Sequence, residues 1–232
     1  MAKILCIETA TSVSSVGVSI DGQINSIAET NSDFSHSEKL SIFIQTVLKK
    51  TKITANEIDA VAVSNGPGSY TGLRIGVSTA KGICFALGIP IIAIDTLLAL
   101  SNSFCLQNKI DKNDLLCPMI DARRMEVYAA IHNNNLTIIE NTTAKIIDNK
   151  SYSEILEKNV VHFFGNGSDK CQTEITNKNA IFHSGINSSS KGLAKLAEEK
   201  YQKQEFADLA YMEPFYLKPF VAIPSKKQLF KS

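Results

Sequence analysis

The chain has 232 residues, of which 44% are hydrophobic and 20% charged, with a net charge of +1. The length supports a full core as one large domain or two lobes, and the composition excludes a disordered chain. The charge excludes a global basic field for nucleic acid and leaves room only for local basic patches. Five cysteines lie scattered without a C-x-x-C pair, so they read as reduced, buried thiols rather than a disulfide or zinc framework.

The start, MAKILCIETATSVSS, lacks the long apolar core of a signal peptide. No stretch approaches the ~20 apolar residues of a membrane span. The sequence therefore predicts a cytoplasmic protein. Residues 3–7 form an apolar run, 14–20 alternate, Asp21-Gly22 is a hairpin turn signal, and 23–29 return as a third strand. A helix capped by Ser35 or Ser37 is expected to reach about Lys50, followed by a strand over 58–64. After the segment SNGPGSYTGLRIG comes a helix over about 71–87, stopped by Gly88 and Pro90. A buried strand over 90–94 and a short helix from Thr96 complete the first half.

The second half starts near Asp111 after a polar stretch. It carries strands at 115–120, 125–132 and 136–139, a helix near 151–157, a strand at 160–164 and a helix over 189–202. The proline-rich tail from Pro214 is expected to lie extended over the surface. Three antiparallel strands, helix, strand, helix is the order of the first half, and it recurs less completely in the second. A duplicated βββαβα unit is the α/β layout of the actin, hexokinase and Hsp70-like (ASKHA, ribonuclease H-like) fold. The expected division is an N-terminal lobe, 1–105, and a C-terminal lobe with an extended tail, 106–232.

The glycine segment at 64–76 does not match a phosphate-binding motif. Gly68 and Gly72 lead into Leu73-Arg74, so the lysine and hydroxyl of a P-loop are missing. Gly66, Gly68 and Gly72 miss the dinucleotide spacing by one residue. Backbone N–H groups at the helix start could still bind an anion. Ser69 is not in a G-x-S-x-G elbow, and no histidine pair or cysteine–histidine cluster suggests a metal. The reading that remains is structural: Gly66-Pro67-Gly68 makes a turn, and Gly72 permits close backbone approach.

The helix GLRIGVSTAKGICFAL has a core stripe of Leu73, Val77, Ala80 and Cys84, yet Ile75, Gly82 and Ala86 fall outside it and only Arg74 and Lys81 are charged. In the helix at 36–50, Leu40, Phe43, Ile44, Val47 and Leu48 form the stripe while Ile42 points away. Such helices must be covered on more than one side. Pattern alone leaves open whether a partner or the chain's own second lobe covers them.

SNGPGSYTGLRIG after a strand, ILCIETATSVSSVGVS at the start, IDARRMEVYAA at 120–130, FFGNGSDK at 163–170 and PFYLKPFVA at 214–222 together resemble the bacterial TsaB (YeaZ) family over nearly the whole chain. The resemblance implies an accessory role in making threonylcarbamoyladenosine in tRNAs that read codons beginning with A. The chain would bind the transferase paralog TsaD, joined by the ATPase TsaE, and have little activity alone. It also implies a dimer through the two N-terminal helices, here His36, Leu40, Ile42 and Phe43 with Leu73, Ile75, Gly76, Thr79, Gly82 and Ile83. A homodimer would use the same helices. The metal-binding H-x-x-x-H of TsaD has no counterpart in this sequence, and neither metal nor cofactor is expected. Glu8, Thr9, Asp121, Gly165 and Gly167 stand where an actin-like protein would contact a nucleotide. Ala10 replaces the glycine that close phosphate approach favours, and 121–124 likewise lack glycine, so these positions read as vestigial. Contact with tRNA is expected to be indirect or weak. The competing readings are an actin-fold ATPase or a peptidase acting alone, and an independent homodimer.

Overall fold

A computed structural model describes residues 1–30 and 36–218. The expectations for Ser35, for the His36 side chain and for the tail beyond Lys218 lie outside the described residues. Ser37 already lies inside its helix rather than capping it.

The first half runs β1 (Lys3–Glu8), β2 (Ser14–Ile20), β3 (Gln23–Thr30), α1 (His36–Thr51), β4 (Ala60–Ser64), α2 (Tyr70–Leu87), β5 (Ile91–Ile94) and α3 (Thr96–Cys105). The second runs β6 (Leu115–Asp121), β7 (Glu126–Asn133), β8 (Ile138–Ile146), α4 (Ser153–Leu156), β9 (Val161–Phe164), β10 (Ala180–His183) and α5 (Ser190–Gln202). The first sheet has the order β3-β2-β1-β4-β5 and the second β8-β7-β6-β9-β10. In both, the first three strands are antiparallel and the last two join in parallel. The repeat in the second half is therefore complete in its strands, where the sequence indicated only part of it. β10 is four residues long, and β8 extends well past the expected 136–139. Most of β8 is exposed at the sheet edge, which blurs the alternation that would mark a strand.

Alternation across the first sheet builds two cores. Leu5, Ile7, Val16, Val61 and Val63 point towards α1 and α2, meeting Leu40, Val47, Val77 and Cys84. Ile4, Cys6, Ala60 and Ala62 point the other way, towards Leu193, Ala194 and Ala197 of α5. Leu97, Leu100 and Phe104 of α3 pack on Leu116, Ile120 and Phe164 of the second sheet. Each half thus sends its last helix to the other half's sheet. The division at 105/106 falls between the sheets, but α5, from the second half, lies on the first. The exchanged helices touch closely: Asn102 Nδ2 donates to Gly192 O at 2.8 Å.

Helix α2 is seated on the turn after β1. Ser69 N donates to Ala10 O at 2.7 Å, and Thr9 Oγ1 donates to Gly72 O at 2.8 Å. A Cβ on Gly68 would stand 2.3 Å from Ala10 O, one on Gly72 2.1 Å from Thr9 O, and one on Gly76 2.2 Å from Thr9 Oγ1. The four-residue spacing places all three on one line, Gly68 and Gly72 against backbone carbonyls and Gly76 against the Thr9 hydroxyl. Ser69 caps the helix by accepting from Gly72 N at 3.2 Å, and Gly88 closes it in the left-handed conformation. Gly82, by contrast, faces open space.

These two environments give a paired prediction. Gly72→Ala should lower stability by about 2–3 kcal/mol, because a backbone carbonyl, not a flexible side-chain end, must move. Gly82→Ala should leave stability unchanged or raise it by up to about 1 kcal/mol through helix propensity. Urea titrations of both variants against the parent chain measure the difference.

Candidate functional site: an interlobe cleft and an open helical face

The C-terminal ends of β1, β4, β6 and β9 point to one side of the molecule, where a cleft of about 550 Å³ separates the two halves. Ala10, Thr11 and Ser12 of the first hairpin and the start of α2 form one wall. Asp121, Ala122, Arg123 and Asn166 form the other.

Of the five nucleotide-contact candidates, only Asp121 lines the cleft. Its Oδ1 accepts from Arg123 N at 3.1 Å and is paired with Lys170 Nζ. Glu8 is fully buried behind the wall. Its Oε1 accepts from Ala10 N at 2.7 Å and Ser64 Oγ at 2.9 Å, while Oε2 has no hydrogen-bond partner among the described residues. Burial pushes its carboxyl up to about 7. Thr9 is spent on the seat of α2. Gly165 and Gly167 lie against the β6 backbone at Met119 and Ile120, and it is Asn166 between them that reaches the cleft, accepting from Asp121 N at 3.1 Å. An actin-like nucleotide site needs a carboxylate facing the cleft and a hairpin turn open to phosphate. Here one carboxylate is buried, the other is paired with lysine, and the Ala10 N–H of the turn is already donated to Glu8 Oε1. These residues do not fit a metal–nucleotide. Among the described residues no group of histidine, cysteine and carboxylate side chains is placed to hold a metal.

The mouth of the cleft is crossed by residues 215–218. Phe215 N donates to Asn65 O at 2.6 Å, and Tyr216 packs on Tyr70 with ring centroids 4.8 Å apart. Arg74 Nε donates to the Tyr216 hydroxyl at 3.3 Å, and Lys218 pairs with Glu126 of the second half. Upstream, Lys81 Nζ donates to Ala210 O and Met212 O, both at 3.1 Å.

The other feature is the outer face of α1 and α2, which lie on the side of the first sheet away from α5 and the second sheet. Among the described residues, Met212 packs into this core and the segment 210–216 runs along α2 at Lys81, Arg74 and Tyr70, while the second sheet and α5 do not cover this face. Ile42 is 57% exposed, Gly82 is exposed, and Ile75, Thr79 and Ile83 are partly so. Phe43 is half-buried against the core. Three expected interface residues turn inward instead. Leu40 and Leu73 are 1% and 0% exposed, and Gly76 is buried beneath Thr9. They belong to the stripes that hold the helices on the sheet. Phe85, which the sequence reading missed, is 83% exposed. Its signal was available, since it falls one residue past the stripe that ends at Cys84.

Two halves with the same strand order, exchanged terminal helices and a cleft between them define an actin-like two-lobe protein. Solved structures agree on the fold. A Pseudomonas aeruginosa protein with similarity to the peptidase YeaZ superimposes with a TM-score of 0.83 at 20% identity, covering 94% of this chain and 100% of that one. The activator of the 2-hydroxyisocaproyl-CoA dehydratase from Clostridium difficile, with bound ADPNP, superimposes at 0.50 and 10% identity over 87% of this chain and 97% of its own. A family model described as TsaD: tRNA N6-adenosine threonylcarbamoyltransferase matches residues 30–218. The tRNA threonylcarbamoyladenosine biosynthesis protein TsaB of Buchnera aphidicola subsp. Baizongia pistaciae is 33% identical over 78% of this chain and 83% of its own. The Escherichia coli protein of the same name is 33% identical over 55% of this chain, which spans only 54% of that relative's length. The chain belongs to this family, on its TsaB (YeaZ) branch.

Glu8 supplies a pH prediction. Its folded value of about 7 lies above the ordinary 4.5, so the folded state holds a proton that the unfolded state releases. The stabilisation is complete below about pH 4.5 and is lost as pH rises through 7. His132 runs in the opposite sense. It is buried against Ser101, with burial lowering it to about 4, so its contribution is lost as pH falls from 6.5. Comparing the parent with Glu8→Gln cancels the histidine. The variant keeps an acceptor for Ala10 N and Ser64, and should gain roughly 2–3 kcal/mol over the parent between pH 4.5 and 8. Denaturant midpoints at both pH values test this.

Proposed function

We propose that the chain is a non-catalytic scaffold in tRNA threonylcarbamoyladenosine biosynthesis. It binds and positions the transferase paralog TsaD, with the ATPase TsaE joining the pair. The observation that carries this reading is the open apolar face of α1 and α2. Ile42 and Phe85 are exposed, Ile75 and Ile83 are partly exposed while packing against the core, and Gly82 leaves room for a facing helix to approach closely. Contiguous apolar surface of this kind marks a protein interface. The cleft supports the non-catalytic part, because Glu8 behind its wall is taken up by burial and Asp121 on its wall by Lys170. Among the described residues no helix is long and apolar enough to cross a membrane. Names carried by the relatives supply the pathway.

Mixing the chain with the TsaD paralog of the same organism should give a mixed dimer by size-exclusion chromatography with light scattering. Ile42→Asp and Phe85→Asp start from exposed positions, so the free chain should stay folded. In the complex each would bury an unpaired carboxylate at a cost on the order of 3–5 kcal/mol, so the mixed peak should disappear. Ile146→Asp, exposed on β8 of the other half, should leave it intact. Separate peaks for the unmodified proteins, with TsaE and ATP present, would overturn the scaffold reading. Self-association of the isolated chain through the same face is compatible with it, and added paralog should then displace the second copy.

A further inference from the structure

The turn between β6 and β7 is built at a conformational cost. Arg123 and Arg124 both have left-handed backbones, with φ of 72° and 50°. Asparagine and glycine are the residues that favour two consecutive left-handed positions in a hairpin turn, and arginine is disfavoured there. The conformation is held from below. Lys170 Nζ donates to Arg124 O at 2.6 Å and Glu126 O at 2.7 Å and pairs with Asp121. Asp121 Oδ1 also accepts from Arg123 N.

This bracing settles the local charges. Asp121 is neutralised by Lys170 and Glu126 by Lys218, so the nearest carboxylates are taken. The two guanidinium groups are exposed, and among the described residues they have no hydrogen-bond or ion-pair partner. A chain of net charge +1 thus concentrates two adjacent uncompensated cations on a rigid tip at the mouth of the cleft. Behind Arg123, Tyr70, Tyr128 and Tyr216 line the cleft; Tyr70 already packs on Tyr216 and under the Arg74 guanidinium, which leaves Tyr128 and Tyr216 to meet a base.

We infer that this turn is an RNA contact. Arg123 and Arg124 engage phosphates of a single-stranded or looped RNA segment, and an unpaired base stacks against the tyrosine wall. The guanidinium fork matches phosphate oxygens, and guanidinium beside aromatic faces is the chemistry that takes unstacked RNA. An acidic polypeptide would use the cations but leave the tyrosine wall without a role. No metal is required, so the misfit of the cleft to a metal–nucleotide does not bear on it. The choice of RNA over DNA rests on the proposed place of the chain in tRNA modification. The contact is weak in isolation, since it neutralises about two phosphates.

The test is fluorescence anisotropy of a fluorescein-labelled tRNA transcript titrated with the full chain at several salt concentrations. The informative variant is Arg123→Asn with Arg124→Gly, which suits the turn better and removes both charges. It should melt at or above the parent temperature. It should also bind RNA on the order of tenfold more weakly, with the salt slope reduced by roughly 1.4–1.8, the loss expected for two phosphates. Tyr128→Ala should weaken binding without changing the slope. An unchanged affinity and slope in the double variant would overturn the inference, as would failure of the parent to bind RNA. Displacement of the RNA by millimolar AMP would assign the site to free nucleotides instead, and displacement by polyglutamate as effectively as by unlabelled tRNA would assign it to acidic protein. Both outcomes reject the RNA contact. The parent chain, assayed both for RNA binding and for mixing with the TsaD paralog, separates the two readings. A mixed dimer without RNA binding sinks only this inference, whereas RNA binding without a mixed dimer sinks only the scaffold.

Discussion

There is almost no gap beneath the first two turns of α2. Its backbone lies directly on the carbonyls of Thr9 and Ala10, a distance that three side-chain-free positions in line make available. From this seat the helix axis is fixed against β1, and Val77, Ala80 and Cys84 fall into the core of the first sheet. The opposite face, with Ile75, Gly82 and Phe85, is then obliged to look outward. In the same turn the Ala10 N–H, a group that a phosphate would use, is donated to the buried Glu8 carboxyl. One short turn therefore seats the helix on its carbonyl side and closes the cleft wall on its N–H side.

The cleft is quiet in a specific electrostatic sense. Glu8 is kept near neutrality by burial, and Asp121 and Glu126 are each matched with a lysine. Little negative charge is left to hold a magnesium ion. The closing segment 215–218 reinforces this, tying Asn65 of the first half to Glu126 of the second. What remains exposed is apolar on one side of the molecule and cationic at the cleft mouth, two surfaces suited to different partners.

Much of the fold was legible in the sequence because local chemistry agreed with the tertiary outcome. Asp21-Gly22 takes up the left-handed turn that its residue types favour, and Gly88 caps α2 as its type suggests. The strands β8 and β10 were read short or missed, since edge strands bury too little of either face to leave a period. The site was legible only in part. Ile42 falls outside its helical stripe and is exposed, and Leu40 and Leu73 lie in the core as their stripes required, although the family resemblance counts both, with Gly76, in the interface. Lys170 had no local signal, because its partners are supplied by a hairpin more than forty residues earlier.

The exchange of terminal helices has a consequence for synthesis. The face of the first sheet carrying Ile4, Cys6, Ala60 and Ala62 is closed by residues 193–197. While the chain leaves the ribosome, β1 to β5 are made long before their cover exists. That apolar face stays wet until residues 193–197 have emerged. Such long-range closure slows folding and lengthens the interval in which a nascent chain needs shielding. The two halves echo each other in layout, yet neither can finish folding before the other has been made.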